Sequence, residues 1–240
     1  MITSHVSWLY KTMWLFKNWP AIYFDKLRGR DTNKLVLRNG QIIYTGERNI
    51  AIAAADEVFR EKVYGTLIGL GREVVVLDIG AHLGTFSLYA HDVLKGRLDV
   101  KIISFEPVAE TFKYLTKNVG EVAELHRAAV VGSGGGKRTI YIQGPCAGKN
   151  SLYASQGTPE EIDAVSIHDV LKPLKQVGFM KLDCEGAEEE ILDAMTDEEW
   201  AKIRSFAVEC STEYASKLAS KNVGFKQISF IHSVALFQRV

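Results

Sequence analysis

Val74-Val-Val-Leu-Asp78-Ile-Gly80-Ala-His82-Leu-Gly84 is the stretch that decides the fold. Its unbroken aliphatic run reads as a strand buried on both faces, as strands of parallel sheets are. The run ends in an acid, Asp78. Gly80 and Gly84 then mark a tight loop. Phe86, Ala90, Val93 and Leu94 recur as the inward stripe of a helix over about 84–94. Farther on, Ile102-Ile-Ser-Phe105 reads as a second buried strand, and it too ends in an acid, Glu106.

Outward from there, strands and helices alternate from residue 73 to the end. That pattern predicts an α/β fold with a mostly parallel sheet covered on both faces. Strand 101–105 leads past Pro107, placed where a first helical turn tolerates it. The next helix has the stripe Val108, Phe112, Leu115 and Val119. A third strand is expected near 124–131, a turn at Gly132–Gly136, and short strands at 139–142 and 163–167. A short helix is expected at 168–175, a fourth core strand at 178–184 and a fifth at 205–210. The helix after 184 is expected to open with Glu185-Gly-Ala187 and to turn Ile191, Leu192 and Met195 inward. Thr196 with Glu199 reads as a capping box. Runs 225–230 and 234–240 predict an antiparallel pair closing the sheet. Residues 144–161 hold Gly, Pro, Ser and Asn and read as an irregular loop, either a cover for a site or a plain surface excursion. Residues 71–240 thus form the main domain.

Residues 1–70 read as a helix and hairpin appendage to it. Asn39-Gly40 between the apolar runs of 35–44 predicts a hairpin with a type I′ turn. Residues 50–64 predict a helix with Val58, Phe59 and Val63 on one face. The first 27 residues are unusually aromatic, with Trp8, Tyr10, Trp14, Phe16, Trp19, Tyr23 and Phe24. Lys11, Lys17 and Pro20 interrupt them well short of a membrane span, and no secretory leader is expected. Val6, Leu9, Met13 and Phe16 recur at helical spacing. A helix packed on the domain or on a second subunit is one reading. A peripheral membrane helix, or a lid over an apolar acceptor, is the other.

The 240-residue chain has 29 basic and 29 acidic residues, so its formal net charge is zero. No nucleic-acid partner is expected, because the electrostatic term behind such binding is missing overall. Cys146, Cys184 and Cys210 form no CxxC pair. They predict reduced thiols in a cytoplasmic protein, not a disulfide framework or a zinc site.

Open parallel sheets bind ligands beyond the carboxyl ends of their strands. Asp78, Glu106, Asp183 and Glu209 occupy such ends. A glycine loop after one strand and an acid after its neighbour suit an adenosine-containing cofactor. Gly80 and Gly84 let backbone approach a ligand, the next helix offers N–H groups to an anion, and Glu106 can accept both ribose hydroxyl protons. A dinucleotide fold is the rival. It wants Gly-x-Gly-x-x-Gly, whereas here Gly80 and Gly84 follow an acid that repels pyrophosphate.

Three segments carry a resemblance: Asp78-Ile-Gly-Ala-His-Leu-Gly-Thr-Phe-Ser87, Phe105-Glu-Pro107 and Lys181-Leu-Asp-Cys-Glu-Gly-Ala-Glu188. Together they resemble the FkbM-type family of S-adenosylmethionine-dependent methyltransferases, over about 35–240. The Asn39-Gly40 hairpin, the Glu57-to-Tyr64 helix and the Ser151-Leu152 pair belong to the same likeness. Leu182 and Cys184 replace aliphatic positions of the family, and His82 stands where it often has Asn. The resemblance implies a class I methyltransferase fold, Rossmann-like and doubly wound, with an antiparallel last strand. It implies S-adenosyl-L-methionine as cofactor and a hydroxyl of a sugar, glycan precursor or natural product as acceptor. Asp78, Gly80 and Gly84, with Ala81 and His82 between them, would line the methionine part. Glu106 would hold the ribose, Pro107, Val108 and Ala129 would border the adenine, and Asp183 would close the cofactor set.

Methyl transfer to a hydroxyl gains from a general base. Asp183, Glu185 and Glu188 are the catalytic candidates, with Glu185 and Glu188 expected on one helix face. Each has a plainer reading, such as Glu188 complementing a helix dipole. His82 reads first as a loop-bracing residue. The same acids suit a hard divalent ion such as magnesium, but a site without metal is the favoured reading. A methyltransferase fold with a protein or nucleic-acid acceptor or with lost catalysis, and a nicotinamide or plain nucleotide-binding module, stand as the alternatives.

Overall fold

The structure, a computed structural model, describes residues 2–65, 67, 73–96, 99–143, 156–220 and 224–240. The expected loop around Cys146 and the Ser151-Leu152 pair lie outside the described residues, as does the division at 70/71.

Helix α1 spans Ile2–Leu15 and α2 spans Trp19–Leu27, whose first turn holds Pro20. The inward face of α1 carries Thr12 and Leu15, with Trp8 half-buried, while Met13 is exposed. Of the expected stripe Phe16 is buried and Leu9 half-buried, so Met13 is the position that departs from it. Strands β1 (Lys34–Val36) and β2 (Ile42–Tyr44) pair antiparallel. Their turn is not the expected type I′. The N–H of Gly40 donates to Leu37 O, the N–H of Leu37 donates to Gln41 O, and only Gly40 has a positive φ, +97°. That is a three-residue loop built on a type I turn. Helix α3 (Arg48–Ala55) runs into a π-helical turn, Asp56–Glu61, and stops at Lys62, whose φ is +53°. The expected helix over 50–64 thus ends early and frees Tyr64.

Strand β3 is Glu73–Ile79, α4 is Thr85–Leu94 and β4 is Asp99–Phe105. Val93 was expected to face in and is exposed. Helix α5, Ala109–Val119, begins after Val108 as N-cap, so Pro107 lies just outside it. The single strand expected at 124–131 is two. β5 (Glu124–His126) stays in the main sheet, and β6 (Ala129–Val131) leaves for a second one. There it pairs with β8 (Thr158–Ser166), which also pairs β7 (Gly136–Ile142). The 144–161 loop was therefore drawn too long, since its last residues are strand. Helix α6 is only Ile167–Leu171.

Strand β9 is Phe179–Leu182, and α7 is Glu188–Ala194. α7 opens three residues later than expected because Glu185 and Gly186 take φ of +61° and +117°, outside helical space. Glu185 and Glu188 therefore share no helix face. Helix α8 (Asp197–Lys202) has the expected capping box on Thr196 and Glu199. Strand β10 (Ser205–Glu209), helix α9 (Thr212–Ser220) and strands β11 (Phe225–Ile231) and β12 (Val234–Arg239) complete the chain.

Among the described residues seven strands form the main sheet, in the order β11-β12-β10-β9-β3-β4-β5. The run β10-β9-β3-β4-β5 is parallel, and β12 is antiparallel to both neighbours. The fold is thus the expected α/β class with its reversed strand. One face of the sheet is packed by Ile191, Leu192 and Trp200, the other by Phe86, Ala90 and Leu94. Leu15, Phe16, Ile22, Leu35 and Ile43 of the N-terminal segment form one apolar cluster with Leu83, Leu88, Leu115 and Val119. Burying each such side chain contributes about 1.5–3 kcal/mol, so this segment packs on the sheet domain through a shared core. No helix among the described residues is long and apolar enough to cross a membrane.

Candidate functional site

Strand order reverses at β3, which has β4 and β5 on one side and β9 and β10 on the other. A crevice opens beyond the carboxyl ends at such a point. Here it is a cleft of about 690 Å³, lined from these strand ends and from the N-terminal segment.

The turn after β3 fixes its floor. The N–H groups of Gly80 and Ala81 both donate to Phe105 O, at 3.1 and 2.8 Å. Gly80 has φ +76°, and a Cβ there would stand 1.8 Å from Asp183 O. Only glycine satisfies both constraints. Gly84 serves another purpose. Its Cβ position lies 2.9–3.0 Å from Leu115 and Val119, so it permits close approach of α5 to the start of α4 and takes no part in the cleft wall.

Glu106 is buried on the wall. Its Oε2 accepts from His82 N–H and its Oε1 from Val108 N–H, each at 3.0 Å. Burial pushes its carboxyl up to about 7 against the pull of those two donors. This has a consequence for stability. Between about 4.5 and 7 the folded chain holds a proton that the unfolded chain has lost. The contribution is full below the unfolded value and vanishes as pH rises through 7. It amounts to about 3 kcal/mol for such a shift. Urea unfolding at pH 5 and pH 8 is expected to show this loss in the parent protein, and a clearly flatter pH dependence in Glu106→Gln.

Asp78 is fully buried below the turn. Its Oδ2 accepts from Ser87 Oγ at 2.6 Å, and its Oδ1 faces Lys181 Nζ at 3.1 Å. Lys181 also donates to Gly80 O at 2.7 Å and lies 3.6 Å from Asp183. Burial opposes its charge, but the two aspartates outweigh burial and raise its pKa. Asp78, Ala81 and Gly84 thus support the turn from behind, while Gly80, His82, Glu106, Pro107, Val108, Ala129 and Asp183 line the cleft.

Asp183 accepts a 2.7 Å bond from Tyr64 Oη. Burial works against its charge, yet Lys181, with bonds from Glu209 and Tyr64, keeps its carboxyl below the usual range. Glu209 shifts the opposite way, through burial and the charge of Asp183. Within the pair Asp183 therefore favours the ionised form and Glu209 the protonated one. Glu185 lines the cleft beside them, and Asp183, Glu185 and Glu209 bring carboxylate oxygens within 4.8 Å of one another. Glu188 is used elsewhere. Its carboxylate accepts from Cys184 N–H at 2.6 Å and Gly186 N–H at 2.8 Å, which shapes the turn before α7. Glu209 fills the acidic position expected of Glu188.

Sequence reasoning assigned no role here to Tyr64, Glu57, His232 or Ser233, all on the cleft wall. Tyr64 lies 119 residues from Asp183, and no local pattern signals that bond. His232 and Ser233 form the two-residue turn between β11 and β12, with φ of +50° and +59°. Ser233 Oγ donates to Glu209 at 3.0 Å, and its carbonyl accepts from Cys210 N–H. Two non-glycine residues in left-handed space are a cue visible only in the folded chain.

Comparison with known proteins agrees with this architecture. Residues 78–220 match the family described as Methyltransferase FkbM domain. Methyltransferase 1 of Beauveria bassiana is 28% identical over 185 residues, covering 64% of this chain and 70% of that protein. The 31-O-demethyl-FK506 methyltransferase FkbM of Streptomyces tacrolimicus is 26% identical over 170 residues, 56% of this chain and 64% of that protein. The crystal structure of Methyltransferase FkbM from Methylobacillus flagellatus superposes with a TM-score of 0.51 at 15% identity. The match covers 77% of this chain and 47% of that one, so the chain spans under half of that structure.

Proposed function

The chain belongs to the Methyltransferase FkbM family, and from that premise we propose that it transfers a methyl group from S-adenosylmethionine to a hydroxyl of a sugar, glycan precursor or natural product. The observation that carries the proposal is the cleft in which the Gly80 turn, the Glu106 carboxylate and the acids at the carboxyl ends of β9 and β10 meet. The name of the Streptomyces tacrolimicus relative, which specifies a 31-O position, supports oxygen as the acceptor atom. Free thiols at Cys184 and Cys210 support a reducing, cytoplasmic setting.

The residues fit such a donor. Each Glu106 oxygen spends one lone pair on a backbone N–H and keeps another for a ribose hydroxyl. Phe105, Val108, Ala129 and Ile140 offer an apolar wall to a purine, and the volume lies within the usual range for ligand sites. S-adenosylmethionine, when bound, supplies an electrophilic methyl carbon on a cationic sulfonium. Carboxylates of Glu57 and Glu185 favour a cation in this cleft, while that of Asp183 is balanced by Lys181. Tyr64 and Lys181 hold the Asp183 carboxylate in place, which limits the geometric search for the acceptor. The acceptor hydroxyl gives its proton to a carboxylate oxygen of Asp183, the member of the Asp183–Glu209 pair that favours the ionised form.

Asp183→Asn removes the proton acceptor and keeps the shape. Turnover is expected to fall about a hundredfold or more, with donor affinity changed by less than about threefold. Isothermal titration with S-adenosylmethionine and a single-turnover assay separate the two quantities. Equal losses in both would contradict the assignment. The acceptor class is tested by incubating the protein with labelled donor and a panel of hydroxylated sugars and polyketides, reading methyl incorporation by mass. Label found only on amines or nucleic acid would overturn the hydroxyl reading.

A further inference from the structure

The two N-terminal helices are apolar on the outside as well as the inside. On α1 the inner face is satisfied by Thr12 and Leu15, yet Tyr10, Met13 and Trp14 stand 61, 40 and 45% exposed. They occupy positions i, i+3 and i+4, one continuous stripe, and the next position along it is the exposed Lys17. On α2 the inner residue is Ile22, while Phe24 and Leu27 are 54 and 65% exposed and lead to the exposed Arg28. A second cavity of about 950 Å³ extends the α1 stripe inward between Tyr10, Met13, Trp14 and Phe59, with Arg38 and Lys62 also on its wall. A water-facing helix does not ordinarily present such a stripe.

Charge follows the same division. Residues 1–38 hold seven of the 29 basic residues and two of the 29 acids, which leaves 22 bases against 27 acids in the remainder. The neutral chain is thus polarised, with its excess cations on the segment that carries the exposed aromatics. Trp and Tyr favour the headgroup level of a bilayer, apolar at one end and wet at the other. Lys and Arg lay their stems on apolar surface and reach lipid phosphates with their tips. A second copy of this chain fits less well, because it would set one basic segment against another.

We propose that the outer face of α1 and α2 docks on an anionic lipid bilayer, with Tyr10, Trp14 and Phe24 entering the acyl boundary and Lys17, Arg28 and Arg30 meeting phosphates. The docked state is peripheral and reversible. It does not depend on the methyl-transfer reading, and its readouts need no activity.

The test is co-sedimentation of the full chain with vesicles of phosphatidylcholine alone, and of phosphatidylcholine with one quarter phosphatidylglycerol, at low and high salt. Binding is expected to the anionic vesicles at low salt, with a blue shift of tryptophan emission, and to weaken at least tenfold at high salt. Trp14→Glu with Phe24→Glu is expected to weaken binding at least tenfold, with an unchanged circular-dichroism spectrum and urea midpoint as the check on folding. Parent protein left in the supernatant with anionic vesicles at low salt would overturn the proposal. So would a double variant that binds as tightly as the parent. A concentration-dependent dimer in analytical ultracentrifugation, abolished by the same double variant and accompanied by no vesicle binding, would assign the face to a second copy instead.

Discussion

Glu106→Ala is expected to weaken S-adenosylmethionine binding about a hundredfold. Two hydroxyl donors on one ionised acceptor form charge-assisted bonds, each contributing about 1.5–3 kcal/mol. Losing both outweighs any gain from removing a carboxylate that burial already disfavours. Glu106→Gln helps little, because His82 and Val108 each present an N–H to a different oxygen. One of them would then face an amide NH₂, donor against donor. The same carboxyl predicts the pH trend in the parent protein. The ribose prefers the ionised form, so affinity falls below about pH 7, opposite in direction to the stability trend. Calorimetry across pH 5.5–8.5 measures both. Unchanged donor affinity in Glu106→Ala would remove the ribose assignment.

Lys181→Met carries the largest expected cost to the fold. Lys181 is buried, lies between Asp78 at 3.1 Å and Asp183 at 3.6 Å, and donates to the carbonyl of Gly80. Removing one member of a buried ion group leaves uncompensated charge and costs about 3–5 kcal/mol, a large share of the 5–15 kcal/mol that holds a domain together. A loss of that size in the unfolding free energy, read from the urea midpoint and slope, is expected. Adding Asp78→Asn should recover part of it, because the orphaned carboxylate is then neutral. The coupling energy from the double-mutant cycle checks the argument. Additive losses would mean that the two side chains act apart.

The strand ends were legible because unbroken aliphatic runs and glycine loops are local. Asp78, Glu106, Asp183 and Glu209 can be placed at one edge of a sheet from the sequence alone. Their division of labour could not be read. Asp78 and Gly84 have the composition of ligand contacts, but one is neutralised by Lys181 and the other makes room for Leu115 and Val119. The helix expected to begin at Glu185 begins at Glu188, because the Glu188 carboxylate folds back on Cys184 and Gly186. Residues 124–131 contain one apolar stretch but enter two sheets, a choice settled by partners from Thr158 onward. Tyr64 reaches Asp183 across 119 residues. Helical periodicity forecast α1 and the burial of Phe16, but Met13 faces out while Thr12 and Leu15 face in, since a methionine side chain is tolerated on either face.

The reversed strand also has a bearing on how the protein is made. β12 lies between β10 and β11, so it is translated after both of its neighbours. Until it emerges from the ribosome, β10 has an open edge and β11 has no place in the sheet. A nascent chain at residue 231 already contains the segment that forms the Glu106 side of the cleft. It still lacks His232, Ser233 and Val234, which finish the opposite wall. The wall opposite Glu106 is therefore completed only when β12 folds back between β11 and β10.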